Sequence, residues 1–380
     1  MWVAARLFTG CTKSGSLMRR KPRLNTSDAD TPDLADFVSA TQVAQVRADR
    51  DVAKAALVKA ESELVELSKE LRVFRGLQSK LSSTPKWLTP RRAKRDSVGT
   101  ICVALSDCHF DEVVRPEEMN DVNAYDRKIA VKRLKRFFDK VVVLTRNYLS
   151  GLDYDGVVLF LGGDIFSGDI HDELTETNED TMLGSLLFWS EHIASGIGML
   201  ADEFGKVHVP CVVGNHSRRT RKPRSKLRAR DNFDWFLAHQ LALMFKEDDR
   251  VSFQIPESTD AIVPVYDTTY LLTHGDQARG GQGIGGLWPP LLRMRAKKLQ
   301  NYEAMGTPFD IMVCGHWHQL IQAASNGLIV NGSTKGFDEF ASTMNFGFEP
   351  PQQALWVTVP GNGVVWQAPI LVGDRKSERW

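Results

Sequence analysis

The chain has 380 residues, 42% of them apolar and 25% charged, a composition and length that suit one large soluble domain with an appendage or two modest domains. Its net charge of +1 excludes any reading of partners from whole-chain charge. No apolar run approaches the ~18 residues that a membrane span requires.

In chain order, residues 1–32 read as a disordered basic tail. Its first 27 residues hold no acid but carry Arg6, Lys13, Arg19, Arg20, Lys21 and Arg23. A transit peptide, or a true start at Met18, would share that pattern. Residues 33–82 predict one long helix. Ala53, Leu57, Ala60, Leu64, Leu67, Leu71 and Phe74 recur at alternating spacings of four and three, an a/d seam without Pro or Gly from Thr41 to Arg75. The seam suits either a homodimeric coiled coil over residues 41–82 or a helix folded back on its own domain. Residues 83–98, with Pro85, Pro90, Arg91, Arg92, Lys94 and Arg95, form a stiff, solvated linker.

From residue 99 to 373 the pattern is α/β. Apolar runs at Ile101–Leu105, Val157–Leu161, Val207–Val213, Tyr270–Thr273 and Ile311–Cys314 predict buried strands. Helix-period segments lie between them, at Asp126–Leu149, Thr181–Phe204, Asp231–Phe245 and Leu291–Met305. Beyond Gly327 come Leu328–Val330, Leu355–Val359 and Val364–Gln367, three further strands joined by turns. The expected fold is a two-sheet β-sandwich flanked by helices. Residues 374–380 read as a tail. The five cysteines are odd in number and form no CxxC pair. Cys102, Cys211 and Cys314 lie in apolar runs, and free buried thiols point to a cytoplasmic protein.

Each of the first five runs leads at once into a polar cluster. These are Asp107-x-His109, Gly163-Asp164, Gly214-Asn215-His216, His274-Gly275-Asp276 and Gly315-His316-x-His318. Open α/β sheets bind ligands at the carboxyl ends of their strands, so five strand ends would deliver Asp, Asn and His to one edge. Imidazole with carboxylate suits manganese, iron or zinc, with manganese first. Side-chain alternation along extended strand ends would point Asp107 with His109, and His316 with His318, the same way. A bridging carboxylate could hold two ions ~3.5–4 Å apart to clamp a phosphate and activate water. A lone Asp-x-His is a weak signal. Five clusters in order, holding five of the nine histidines, are a strong one.

On these motifs the segment from Thr100 to Gly373 resembles the calcineurin-like metallophosphoesterases. The resemblance implies two metal sites. One would use Asp107, His109, Asp164 and His318; the other would use Asp164, Asn215, His274 and His316, with Asp164 bridging. His216 would be a catalytic non-ligand that donates a proton to, or stabilises charge on, the phosphoryl group or leaving oxygen. Two positions depart from the family. Ser217 stands where an acid follows Asn-His in many members, and Ser167 stands where many have Asp. Asp169 or Asp172 could replace the latter. The Gly-His-x-His ending and the absent Asp-Arg-Gly favour the DNA-repair nuclease branch over the protein phosphatases.

The run Arg218, Arg219, Arg221, Lys222, Arg224, Lys226, Arg228 and Arg230 follows His216 directly and could neutralise the phosphates of DNA or RNA. It could equally be a solvated loop, or one paired with the acidic loop at Asp172–Asp180. His171, seven residues after Asp164, could reach the substrate. The alternatives to a nuclease are a phosphomonoesterase, a small-nucleotide phosphodiesterase, or a metal-stabilised binding module without catalysis. The Gly281–Gly286 stretch matches GxGxxG by letter but does not directly follow a strand. It reads as a flap over the site or a plain loop, not a dinucleotide site.

Overall fold

The computed structural model describes residues 45, 48, 50–60, 62–63, 97–280 and 286–380. The chain divides into two compact units, between Leu71 and Arg72. In the first, residues 50–60 are helical (α1). The tail at 1–32, the seam beyond Glu63, nearly all of the linker at 83–98 and the glycine stretch 281–285 lie outside the described residues.

The second unit contains two sheets. The first runs in the order β11(Gly363–Leu371), β10(Gln352–Val359), β1(Val98–Leu105), β2(Asp153–Leu161), β3(Val207–Pro210), β4(Val251–Gln254). Strands β1 to β4 are parallel, β10 is antiparallel to β1, and β11 is antiparallel to β10. The second sheet runs β5(Asp260–Val265), β6(Thr268–Thr273), β7(Ile311–Cys314), β9(Leu328–Val330), β8(Ile321–Ala323).

Alternation along the strands builds three apolar layers. Ile101, Val103 and Leu105 pack against Leu134 and Phe138 of α2(Arg127–Val143) and Trp189 and Ile193 of α4(Met182–Phe204). Cys102 and Ala104 turn to the other face, against Tyr270, Val313 and Trp356 between the sheets. Leu271 and Met312 face Leu291 and Met294 of α6(Trp288–Ala304). The expected sandwich with helices outside is the observed architecture. Both sheets are covered on both faces, which is why their strands read as unbroken apolar runs.

Several boundaries differ from expectation for physical reasons. Helix α2 starts where Asp126 accepts the amide N–H of Ile129, but it gives way after Val143 to a π-helical turn at Leu144–Tyr148. Helix α6 begins at Trp288 rather than Leu291, because Pro289 and Pro290 occupy a first turn that needs no amide donor. Strand β3 stops at Pro210, well short of Val213. The short strands β4, β5 and β8 were absent from the sequence reading. So were the short helices α3(Asp172–Thr177), α7(Glu339–Thr343) and α8(Arg375–Glu378). Helix α5 spans Phe233–Met244, capped by Asn232, whose side chain accepts the amide of Asp234.

The expected tail at 374–380 is corrected. Arg133 of α2 is fully buried and meets Glu378 of α8 at 3.0 Å, while Arg136 meets it at 2.9 Å. A buried guanidinium requires an anionic partner, so the C-terminal residues belong to the domain.

Candidate metal centre

Seven side chains gather at the carboxyl edge shared by the two sheets. Asp107 and His109 follow β1, Asp164 follows β2 and Asn215 lies beyond β3. His274 follows β6, and His316 and His318 follow β7. The convergence does not come from strand alternation. Asp107 (φ 53°), His109 (φ 46°), Asp164 (φ 50°), His316 (φ 68°) and His318 (φ 54°) all sit in the left-handed region. Such backbone costs on the order of 1–3 kcal/mol per residue and persists where the surroundings over-determine it. Two glycines make the gathering possible. A Cβ at Gly214 would overlap the Asp164 carboxylate, and one at Gly315 would overlap that of Asp107.

The donor atoms form overlapping groups, each within 4.8 Å: Asp107, His109 and His318; His109, Asp164 and His216; Asp164, His274 and His316. Their protonation pattern fits a cation. The Nδ1 of His274 lies 2.9 Å from the carbonyl of Gly162, which can only accept, so the nitrogen carries the proton. Its Nε2 then faces Asp164 Oδ2 at 2.9 Å and Asn215 Oδ1 at 3.1 Å. Burial would lower His274, but the Asp164 carboxylate raises it to about 10, so Nε2 carries a second proton here, and a cation shared with Asp164 and Asn215 would take that proton's place. On the other side the Nε2 atoms of His109 and His318 approach to 3.0 Å, with Asp107 Oδ1 3.6 Å from His318. The residues present therefore fit a divalent cation.

Electrostatics agree. Burial, with the charge of His274, pushes His316 down to about 4; burial and His109 push His318 well below the usual imidazole range. Both are neutral ligands at neutral pH. Burial raises Asp107 to about 6, despite His274, because the Asp164 carboxylate is close. Burial alone would raise Asp164, but His274 and His216 hold it well below the usual carboxylate range.

His216 belongs to the same cluster, so distance alone admits it as a donor. Its Nδ1 donates to the carbonyl of Ser167 at 3.0 Å, and burial beside His109 lowers its pKa to about 4. Its ring lies 4.5 Å from His109 and 5.8 Å from His171, so His171 does reach the site edge.

The anticipated substitutes for Ser167 do not serve. Asp169 is exposed, and Asp172 pairs with Arg221. The supporting acid is Asp234, which the sequence reading missed. It is buried in the first turn of α5 and accepts from the amides of Asp164 (3.0 Å) and Gly214 (2.9 Å) and from Ser217 Oγ (2.7 Å). One carboxylate thereby ties together the loop bearing Asp164 and the loop bearing Asn215 and His216. A second missed group is Glu112, 3.3 Å from His109 Nδ1 and 2.8 Å from the buried Lys335, which also pairs with Asp338. Asp234 is eighteen residues past His216; Glu112 is only three past His109, but its partner Lys335 lies more than two hundred residues on.

The arginine-rich loop is largely closed on itself. Arg218 donates to the carbonyls of Asn215, Thr220 and Arg221. Arg219 and Arg224 pair with Asp231, Arg221 with Asp172, Arg228 with Asp276 and Arg230 with Glu257. The cavity between this loop and Asn215 holds 20 Å³, room for a water rather than a nucleotide.

No family model matches the chain, and no curated protein matches it. Solved structures do match. Vacuolar Protein Sorting 29 from Cryptosporidium parvum is 13% identical with a TM-score of 0.28, covering 71% of this chain and 97% of that one. A novel archaeal phosphodiesterase is 9% identical with a TM-score of 0.28, covering 67% and 92%. YfcE, a phosphoesterase from E. coli, is 13% identical with a TM-score of 0.27, covering 72% and 100%. Matches at these TM-scores carry no argument about activity, and the functional reading rests on the residues. Among the described residues no helix is long and apolar enough to cross a membrane.

Proposed function

We propose that the chain hydrolyses phosphate esters with two divalent metal ions held by Asp107, His109, Asp164, Asn215, His274, His316 and His318. One observation carries the proposal: His274, with its Nδ1 proton committed to Gly162, turns Nε2 toward Asp164 and Asn215. Bound ions supply Lewis acidity to a phosphoryl group and to the attacking water. Asp164 spans both sites, its Oδ1 held by the amide of His216 and its Oδ2 facing His274. His216 is oriented through Nδ1, which leaves Nε2 aimed at the cluster to exchange a proton with, or stabilise, a phosphoryl or leaving oxygen. The test is a metal-by-substrate screen on the purified chain with manganese, iron and zinc. Absence of hydrolysis of every monoester and diester at every metal would sink the proposal.

A nucleic-acid substrate follows from the sequence of the loop at 218–230, whose five arginine ion pairs weaken that support. The pairing favours the second reading, a small phosphodiester or monoester. Competition between oligonucleotides and small esters separates the two.

A further inference from the structure

Strand β9 runs parallel to β7 and ends at the edge that carries the Asp and His cluster. Two buried side chains just beyond it, Asn331 and Ser333, are not ligand candidates, yet both reach toward Asp107. The Oδ1 of Asn331 accepts the amide N–H of Ala354 at 2.7 Å. A backbone amide can only donate, so the other end of the side chain is its NH2. That Nδ2 gives one proton to Gln353 Oε1 at 2.7 Å and the other to Ser106 Oγ at 2.8 Å. Gln353 is fixed in the same sense: its Oε1 also accepts the amide of Ser106 at 3.0 Å, and its Nε2 donates to the carbonyl of Gly332 at 2.8 Å. Ser106 has a single hydroxyl proton. With Asn331 donating to its oxygen, that proton goes to Oδ2 of Asp107.

Ser333 repeats the device on the backbone. Its Oγ accepts the amide of Lys335 at 3.0 Å, so its proton goes to the carbonyl of Asp107 at 2.7 Å. Asp107 is thus held at its carbonyl and at Oδ2. Its Oδ1 takes the amide of His316 at 2.8 Å and stands 3.6 Å from Nε2 of His318. These bonds are part of what keeps Asp107 at φ 53°. A buried polar network specifies one geometry when each member is satisfied, and here Ser106, Asn331, Ser333 and Gln353 all are.

We infer that Asn331 is a positioning residue for Asp107: it fixes the direction of the Ser106 hydroxyl, which occupies Oδ2 and leaves Oδ1 as the oxygen offered to a cation beside His109 and His318. Asn331 acts through Ser106 and touches neither substrate nor cation. The inference rests on the metal reading of the cluster and not on hydrolysis.

The test is calorimetric titration of manganese into the metal-free full chain, with urea unfolding of the same samples alongside. Ser106→Ala removes the donated proton, and manganese affinity is expected to fall about 10–100-fold, the usual effect of losing a group that supports a ligand. Asn331→Ala leaves the Ser106 hydroxyl free to rotate, so affinity should fall in the same direction by a smaller factor. The double variant should bind no more weakly than Ser106→Ala alone, because both changes act on one proton. Affinity preserved in Ser106→Ala overturns the inference. So do independent, multiplying losses in the double variant, and so does Asn331→Ala with lowered urea stability but full affinity, the behaviour of a group that only holds the core. Should Asn331→Ala not fold, Ser106→Ala decides alone: a loss of affinity sustains the inference. If the unaltered chain binds neither manganese, iron nor zinc, the metal reading falls and takes the inference with it. If it binds metal but hydrolyses no ester, the hydrolase reading falls alone and the affinities still decide.

Discussion

The ligand loops after β1, β2 and β7 and the basic loop at 218–230 are neighbours built in opposite ways. In the first region, Asp107, His109 and Asp164 are buried, their backbone is left-handed, and glycines let the carboxylates close in. In the second, most residues are exposed, and five of the eight cations are paired with Asp172, Asp231, Asp276 and Glu257. Strained, desolvated donors with lone pairs facing one another are poised for something that is not protein. A satisfied ion-pair lattice at the surface is complete without a ligand. A run of arginines beside a catalytic motif is therefore weaker evidence for a polyanion than the sequence makes it look, whereas isolated Asp and His residues in five separate places are stronger.

The comparison can be broken at five points. The largest effect is expected for Asp164→Asn, which removes the anion shared by two of the three donor groups. Hydrolysis should fall by at least about 10³-fold with loss of bound metal, read by turnover and elemental analysis. Full metal content with near-normal turnover would show that Asp164 does not bridge. His216→Ala should cost about 10²–10⁴-fold in kcat while both metals stay bound. If the metals leave with it, His216 is a ligand.

Asp234→Ala comes next. It strips the acceptor from the amides of Asp164 and Gly214 and from Ser217 Oγ. Leaving such buried donors unpaired costs about 1–3 kcal/mol, and supporting groups of metal ligands typically change metal affinity about 10–100-fold. Urea unfolding of the metal-free chain and metal titration measure the two effects separately, and an unaffected metal affinity would reduce Asp234 to a fold-stabilising group.

The fourth point concerns acid stability. Burial alone would raise the pKa of Glu378, but Arg133 and Arg136 outweigh it and the net shift is downward. A depressed carboxylate contributes stability that is complete above its unfolded pKa of about 4.3 and disappears as pH falls through the lower folded value. Acidification from pH about 5 downward should lower the urea midpoint of the unaltered chain more steeply than that of Glu378→Gln. Parallel curves would contradict the linkage. The smallest effect is expected for Arg221→Ala, whose surface pair with Asp172 should be worth little: about twofold or less in kcat/KM on small esters or on single-stranded DNA. A large loss confined to DNA, steepened at low salt, would restore the basic loop as a phosphate track.

Much of the centre was legible because its chemistry needs particular side chains right after apolar runs. Every ligand candidate named from the motifs lies at the one edge, and Ile311–Cys314 and Leu328–Val330 match to the residue. What failed was whatever depended on partners distant in sequence. Asp234 looks like an ordinary helix-start acid, Lys335 like a surface lysine, and Glu378 like part of a tail, until folding buries each against its counterpart. The extended geometry assumed for Asp107-x-His109 failed because no local pattern announces a left-handed aspartate or histidine.

The order of strands and helices, the covered sheets and the identity of the metal-competent residues were thus set by the sequence itself, since apolar period and residue type are local properties. Tertiary structure alone decided how those residues meet, which acid stands behind them, and that five arginines of the basic loop pair with acids. Each of these depends on distances between segments far apart in the chain, and burial, not residue type, turns such proximity into energy.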